Sequence, residues 1–220
     1  VAEGKRESRL DGAVSIARAA STDFDELLLH VWHRHLAAAA MRMETRGGAD
    51  NELLSTKMTV GFADMTRFTA LSNRLDQMEL AEVVEEFERR CGDIVTAGGG
   101  RIIKTMGDAM LFVHEDPIAA TRVSLDVVTG IGARSNLPDV RVGLATGSVV
   151  SRLGDVFGPP VNLAARLSNV ARANRILVDR ATADAIAGEF DARVLPPRPI
   201  RGFGNVSPIA VTERRSFTAR

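Results

Sequence analysis

The chain has little cysteine, little lysine, no long apolar run and no net charge. A single cysteine in 220 residues, Cys91, excludes both a disulfide framework and a cysteine-built zinc cluster. Cys91 falls on an apparent helix, where it reads as a packing residue. One cysteine also fits a reducing compartment, so the expected localisation is cytoplasmic. No run reaches the roughly 18 apolar residues of a membrane-spanning helix, and no secretory leader is visible. The chain is therefore expected to have no membrane span. Formal net charge is zero, from 28 basic and 28 acidic residues, which argues against nucleic-acid binding through bulk basicity. Arginine outnumbers lysine 25 to 3, a compositional bias rather than a function. The first residue is Val1, which fits a fragment of a longer protein.

Apolar content of 45% and charged content of 25% are those of an ordinary globular chain. The length allows one sizeable domain with an appendage. Ser21-Thr22-Asp23 offers a helix N-cap. Leu27, Leu28, Val31, Trp32 and Leu36 follow at helical spacing, predicting an amphipathic helix over 23–43. His30, His33 and His35 lie on it as polar-face residues, or, with His30 and His33 sharing a face, as a metal-binding or pH-sensing group. A polar, glycine-containing break at 46–52 sets the boundary. Residues 1–52 are expected to be a helical linker or the end of a regulatory module, and 53–220 a separate domain.

In that domain the pattern predicts a buried strand over 56–63 and helices over 66–74 and 78–96. A hairpin over 101–113 turns at Met106-Gly107-Asp108. Asp116-Pro117 opens a helix reaching about Gly132. A strand pair is expected over 138–150, turning at Thr146-Gly147-Ser148. Gly158-Pro159-Pro160 precedes another helix. A strand over 176–178, a helix over 180–187 and a β region over 191–212 close the chain. The fold class is α+β, a ferredoxin-like βαββαβ core with an N-terminal helical extension and helices on one face of an antiparallel-containing sheet.

Asp64 ends the first strand, and Asp108 sits in the hairpin turn. Those strands are neighbours in such a core, so two carboxylates meet. Like charges at adjacent strand ends are unfavourable unless a cation lies between them. Oxygen-only ligands suit Mg²⁺ or Mn²⁺. Lys104 shares the hairpin with Asp108, and alone the two read more readily as solvated charges than as a site. Asn162 and Arg166 are i,i+4 on a helix and share a face. Asparagine is a poor mid-helix residue, which favours a functional reason for Asn162.

FADMTRFT, IIKTMGDAMLFV and GDVFGPPVNLAARL, in this order and spacing, resemble the class III nucleotidyl cyclases over about residues 56–214. All six signature positions of that family are filled. The resemblance implies that Asp64 and Asp108 hold two Mg²⁺ or Mn²⁺ ions per site. It implies that Lys104 and Asp155 select the purine, Asn162 orients the ribose, and Arg166 stabilises the transition state. It further implies a head-to-tail homodimer with two shared sites, each taking its metal carboxylates from one subunit and the other four residues from the second. An upstream regulatory domain is expected if the chain is a fragment.

Lysine donates only and ionised aspartate accepts only, so this pair complements the acceptor N1 and donor 6-amino group of adenine. Guanine reverses both. ATP is therefore the expected substrate, converted to 3′,5′-cyclic AMP and pyrophosphate. A catalytically silent nucleotide-binding module and a guanylyl cyclase are the alternatives. The chain departs from many members in having Ala145-Thr146-Gly147-Ser148 where histidine and arginine or proline are common. It also has a short segment between Ser151 and Asp155. A basic contact to the terminal phosphates is thereby put in question. Arg201 either replaces it or is a surface loop arginine.

Overall fold

The computed structural model describes residues 55–132 and 137–214. The helix expected over 23–43, with His30, His33 and His35, and the whole 1–52 segment lie outside the described residues.

Strand β1 (Ser55–Met65) is followed by a one-turn helix α1 (Phe68–Ser72) and a long helix α2 (Gln77–Ala97). Helix α2 starts at a capping box. The Asp76 side chain accepts from the Glu79 backbone N–H, and the Glu79 side chain accepts from the Asp76 N–H. Strands β2 (Arg101–Thr105) and β3 (Ala109–His114) form the hairpin, and α3 (Pro117–Gly132) follows. Asp116 Oδ1 accepts from the Ile118 N–H at 2.8 Å, which satisfies one of the free donors at the start of α3. Then come β4 (Val140–Arg152), β5 (Asp155–Phe157) and α4 (Pro159–Val170). Strand β6 (Ile176–Val178), α5 (Arg180–Ala185), β7 (Phe190–Val194), β8 (Arg198–Ile200), β9 (Gly204–Val206) and β10 (Ile209–Glu213) complete the order.

The main sheet runs β2-β3-β1-β4-β6-β10-β7, with β5 paired to β4. Strand β1 is antiparallel to both β3 and β4. The stretch β2-β3-β1-β4 is the strand order of a ferredoxin-like core, and β6, β10 and β7 extend it. Strand alternation then builds two apolar layers. Met110, Phe112, Val142 and Leu144 pack with Phe87, Cys91 and Val95 of α2 and Val123 and Val127 of α3. Leu111, Val113, Val60 and Ala145 face the other way, against Val156 of β5 and Ala164 of α4.

Three sequence expectations are corrected. Helices cover both faces of the sheet, because α4 packs on the side opposite α2 and α3. The region 138–150 is no strand pair but one long strand, and the turn falls at Leu153-Gly154, both left-handed (φ 57° and 81°). Gly147 lies inside β4 without a left-handed backbone. A Cβ there would stand 2.7 Å from Pro160 Cγ, so glycine serves close packing of α4 and not a turn. The first helix, expected over 66–74, is only one turn long. It starts at a left-handed Arg67 (φ 60°) with no side-chain cap.

Candidate active site

The β1–β3 pairing places Asp64 opposite Ala109, the residue after Asp108. The Met65 N–H donates to the Asp108 carbonyl at 2.8 Å, which fixes the hairpin turn to the end of β1. The two carboxylates are thus neighbours, and Asp108 exerts a Coulombic push on Asp64. Their surroundings differ. Asp64 is 14% exposed at its side chain and ion-paired with Arg141 of β4, its direct cross-strand neighbour. Burial pushes the Asp64 carboxyl above the ordinary range, Arg141 pulls it down, and Asp108 adds a smaller upward push. Asp108 makes no side-chain hydrogen bond among the described residues and is half-buried.

Lys104 and Asp155 are 51 residues apart in sequence, and the structure joins them. Lys104 Nζ donates to Asp155 Oδ2 at 2.6 Å. The other oxygen, Oδ1, accepts from the Val156 N–H at 2.8 Å. Burial raises the Asp155 carboxyl, but the Lys104 ammonium and the Val156 N–H outweigh it and hold it below the ordinary range. Each partner keeps capacity for a third group, two N–H donors on Lys104 and a lone pair on Asp155 Oδ2.

Helix α4 carries Asn162 and Arg166, both exposed and without side-chain hydrogen bonds among the described residues. Its position is set by Ala164 and Leu167, buried against the sheet. Arg201 lies in the turn between β8 and β9 and is exposed. Its neighbours Ile200 and Phe203 pack in the same cluster as Leu163 and Leu167 of α4, so that hairpin is docked on the helix of Asn162 and Arg166.

The sequence reading missed Arg141. Its guanidinium meets Asp64 and also reaches Asn169 on α4, donating to the carbonyl at 2.9 Å. The only signal was a charge inside an otherwise apolar strand.

The carboxylate end fits a hard divalent cation. Asp64 and Asp108 are oxygen donors of one sign, the first partly desolvated, and no group of three metal-binding side chains exists among the described residues. Two carboxylates with the remaining positions left to water and substrate phosphates is the pattern of Mg²⁺-type sites rather than of a closed protein cage.

A family model described as "Adenylate and Guanylate cyclase catalytic domain" matches residues 53–208. The chain belongs to this family. It is 38% identical to an adenylate cyclase of Streptomyces coelicolor, over 87% of this chain and 58% of that protein. It is 38% identical to an adenylate cyclase of Glutamicibacter nicotianae, over 84% of this chain and 49% of that protein. The chain thus spans about half the length of these cyclase relatives. Among solved structures it resembles the catalytic core of a rhodopsin-guanylyl cyclase with converted specificity, in complex with ATPαS. There the TM-score is 0.68 at 26% identity, covering 73% of this chain and 99% of that one. The adenylyl cyclase CyaB from P. aeruginosa shares the fold, with a TM-score of 0.66 at 23% identity over 73% of this chain and 96% of that one. The cyclase fold expected from the three motifs is therefore the fold observed. Among the described residues no helix is long and apolar enough to cross a membrane.

Proposed function

We propose that residues 53–220 are the catalytic domain of an adenylyl cyclase that converts ATP to 3′,5′-cyclic AMP and pyrophosphate. The observation that carries this reading is the Lys104–Asp155 pair, held at 2.6 Å with donor and acceptor capacity left over. Adenine N1 takes a hydrogen bond from Lys104, and the 6-amino group gives one to Asp155. Guanine would set its N1–H against the ammonium and its O6 against the carboxylate. Mismatched buried contacts of this kind cost about 1–3 kcal/mol each.

In the reaction the ribose 3′-oxygen forms a bond to the α-phosphorus, and the bond from that phosphorus to the bridging oxygen of pyrophosphate breaks. The 3′-hydroxyl proton leaves to solvent. Asn162 holds the ribose ring oxygen, which aims the 3′-hydroxyl. Arg166, one helical turn further along α4, lies at the α-phosphate and balances charge that builds there in the transition state. Arg201 takes the terminal phosphates. Asp64 and Asp108 hold two Mg²⁺ or Mn²⁺ ions. Such ions supply Lewis-acid charge at the phosphate and favour ionisation of the attacking hydroxyl.

As the family resemblance implies, a head-to-tail dimer of two copies would complete two equivalent sites. Each takes its carboxylate pair from one protomer and the other four residues from its partner. We assign residues 1–52 to a helical linker or the end of an upstream regulatory module. The test is an assay of purified protein with Mn²⁺-ATP and Mn²⁺-GTP over a range of protein concentrations. Cyclic AMP formation with specific activity rising with concentration is expected. Its absence at every concentration overturns the reading, and preference for GTP moves it to guanylyl cyclase.

A further inference from the structure

We propose that the cavity beside the C-terminal end of α4 binds a phosphate chain, two or more linked phosphates that are free or at the end of a nucleotide. The cavity is separate from the candidate active site. Neither Arg201 nor any of the six motif residues lines it. The proposal does not depend on the cyclase reading.

The cavity has a volume of about 570 Å³, within the range of small-molecule pockets. Its charged lining is Arg172, Arg175, Arg193 and Arg198 against a single carboxylate, Asp191. These arginines come from separate segments. Arg172 and Arg175 lie in the connection from α4 to β6, Arg193 on β7 and Arg198 on β8. Strand register aims Arg193. It is the direct partner of Ala210 on β10, which packs with Leu167 and Leu177 on the α4 side of the sheet. Cross-strand partners share a face, so Arg193 lies on that side too. Asp191, two residues earlier on the strand, shares it.

The charges in this cavity are not balanced from within. Arg89, Arg90, Arg122, Arg141 and Arg180 each ion-pair with a carboxylate. Arg172, Arg175 and Arg193 make no ion pair or side-chain hydrogen bond among the described residues, although Asp191 lines the same cavity. Cations favour a helix C-terminus, and Arg198 Nη1 reaches the carbonyl of Val170, the last residue of α4, at 3.5 Å. That preference accounts for Arg198 and for Arg172, two residues past the helix. It does not account for Arg175 and Arg193, which stand at the entry to β6 and on β7. A cleft lined by one sign of charge focuses potential and gathers the opposite ion. Guanidinium forks match phosphate oxygens two at a time. Three excess positive charges on separate segments need a ligand whose charge is spread likewise. A phosphate chain has that spread, and a single phosphate does not.

The test is isothermal titration of tripolyphosphate into nucleotide-free protein, with EDTA present and at low salt. A saturable site that weakens as salt is added is expected. Arg175→Gln combined with Arg193→Gln changes two exposed side chains, and should weaken binding at least about tenfold. Asp191→Asn removes the one opposing carboxylate, and should tighten binding about two- to fivefold. Damage to the fold would not tighten binding, so this sign separates a ligand site from a structural one. Orthophosphate should bind at least about tenfold more weakly than tripolyphosphate. ATP titrated in the same way distinguishes the sources. ATP binding that the double substitution removes assigns the cavity to the phosphate end of a nucleotide, and tripolyphosphate binding without it assigns an inorganic chain. No binding of either overturns the proposal, as does weaker or unchanged binding in folded Asp191→Asn. Binding lost in Arg166→Ala but kept in the double variant also overturns it, because the ligand would then occupy the active site. Citrate bound as tightly as tripolyphosphate overturns the assignment to phosphate. Failure of the cyclase reading shows separately, as no cyclic AMP from the unsubstituted protein.

Discussion

The site contains two ion pairs built on opposite plans. Asp64–Arg141 is sheltered, with side chains 14% and 25% exposed, and its arginine is also held by α4. Lys104–Asp155 is open, at 44% and 29%, and its members are anchored chiefly to each other. The carboxyl of the first is shifted up because burial outweighs its partner, and that of the second down because its partners outweigh burial. The Asp64 carboxylate is held by a guanidinium that α4 also holds, whereas Lys104 and Asp155 hold each other and leave donor and acceptor capacity free. Substitutions that treat the pairs as equivalent test this division.

The largest effect is expected at the sheltered end and its counterpart on α4. Asp64→Ala and Arg166→Ala should each lower cyclase turnover at least about 10²–10³-fold, the scale of losing one charge-stabilising group at a reacting centre. Mixing the two inactive proteins should restore activity, because a heterodimer retains one intact site. Assay of verified heterodimers checks this, and a mixture as inactive as its components would mean that the site is not shared.

At the open pair the effect should be one of choice more than of rate. Lys104→Ala should erode discrimination of ATP over GTP by about 1–3 kcal/mol, roughly 5–150-fold in relative kcat/KM. Activity with both nucleotides measured side by side is the readout. A uniform loss with the ratio unchanged would give Lys104 a structural role instead.

How far the sequence foretold this arrangement follows the same division. Asp64, Asp108, Lys104, Asp155, Asn162 and Arg166 stand in the three motifs that carry the family resemblance, which is how the sequence pointed to them. Arg141 was invisible because its role is set by strand register. Nothing in VRVGL says that its charge lies opposite Asp64 rather than in solvent, and only the β1–β4 pairing decides it. Gly147 was misread for a related reason. A glycine flanked by threonine and serine has the local chemistry of a turn, yet its cause is a proline 13 residues on, packed against the strand. The side of the sheet taken by α4 was likewise a tertiary outcome, fixed by Ala164 and Leu167 finding the odd-numbered face of β4.

The seat of α4 can be broken without touching either ion pair. Gly143 lies on β4 beneath α4, and a Cβ there would run into the Ala164 carbonyl and the Ser168 N–H, both backbone. Backbone cannot swing aside as a side chain does, so Gly143→Ala must lift the helix. A cost of about 1–3 kcal/mol is expected, as for other overpacked cores, or a fall in Tm of about 2–12 °C in a domain of this size. Because α4 carries Asn162, Arg166 and Asn169, turnover should fall more than ATP affinity. Thermal unfolding together with kcat and KM checks both parts. An unchanged Tm would show that the strand and helix separate freely.

The smallest effect concerns pH, and there the pairs should oppose each other. For Asp155 the folded pKa lies below the ordinary 3.8. Between those values the unfolded chain binds more protons than the folded one, so stability rises with pH. The contribution is fully present well above pH 3.8 and is lost as pH falls through the folded value. For Asp64 the folded pKa lies above 3.8, and in metal-free protein its contribution declines as pH rises from there. The two partly cancel in the total, so the informative quantity is the difference between parent and Asp155→Asn. With EDTA present, that difference in Tm should favour the parent near neutral pH and shrink below pH 4. Solvent reaches this pair, so the difference should stay under about 1 kcal/mol and fall with added salt. A difference that is independent of pH would remove Lys104 as the cause of the lowered carboxyl, and with it the contrast between an open pair and a sheltered one.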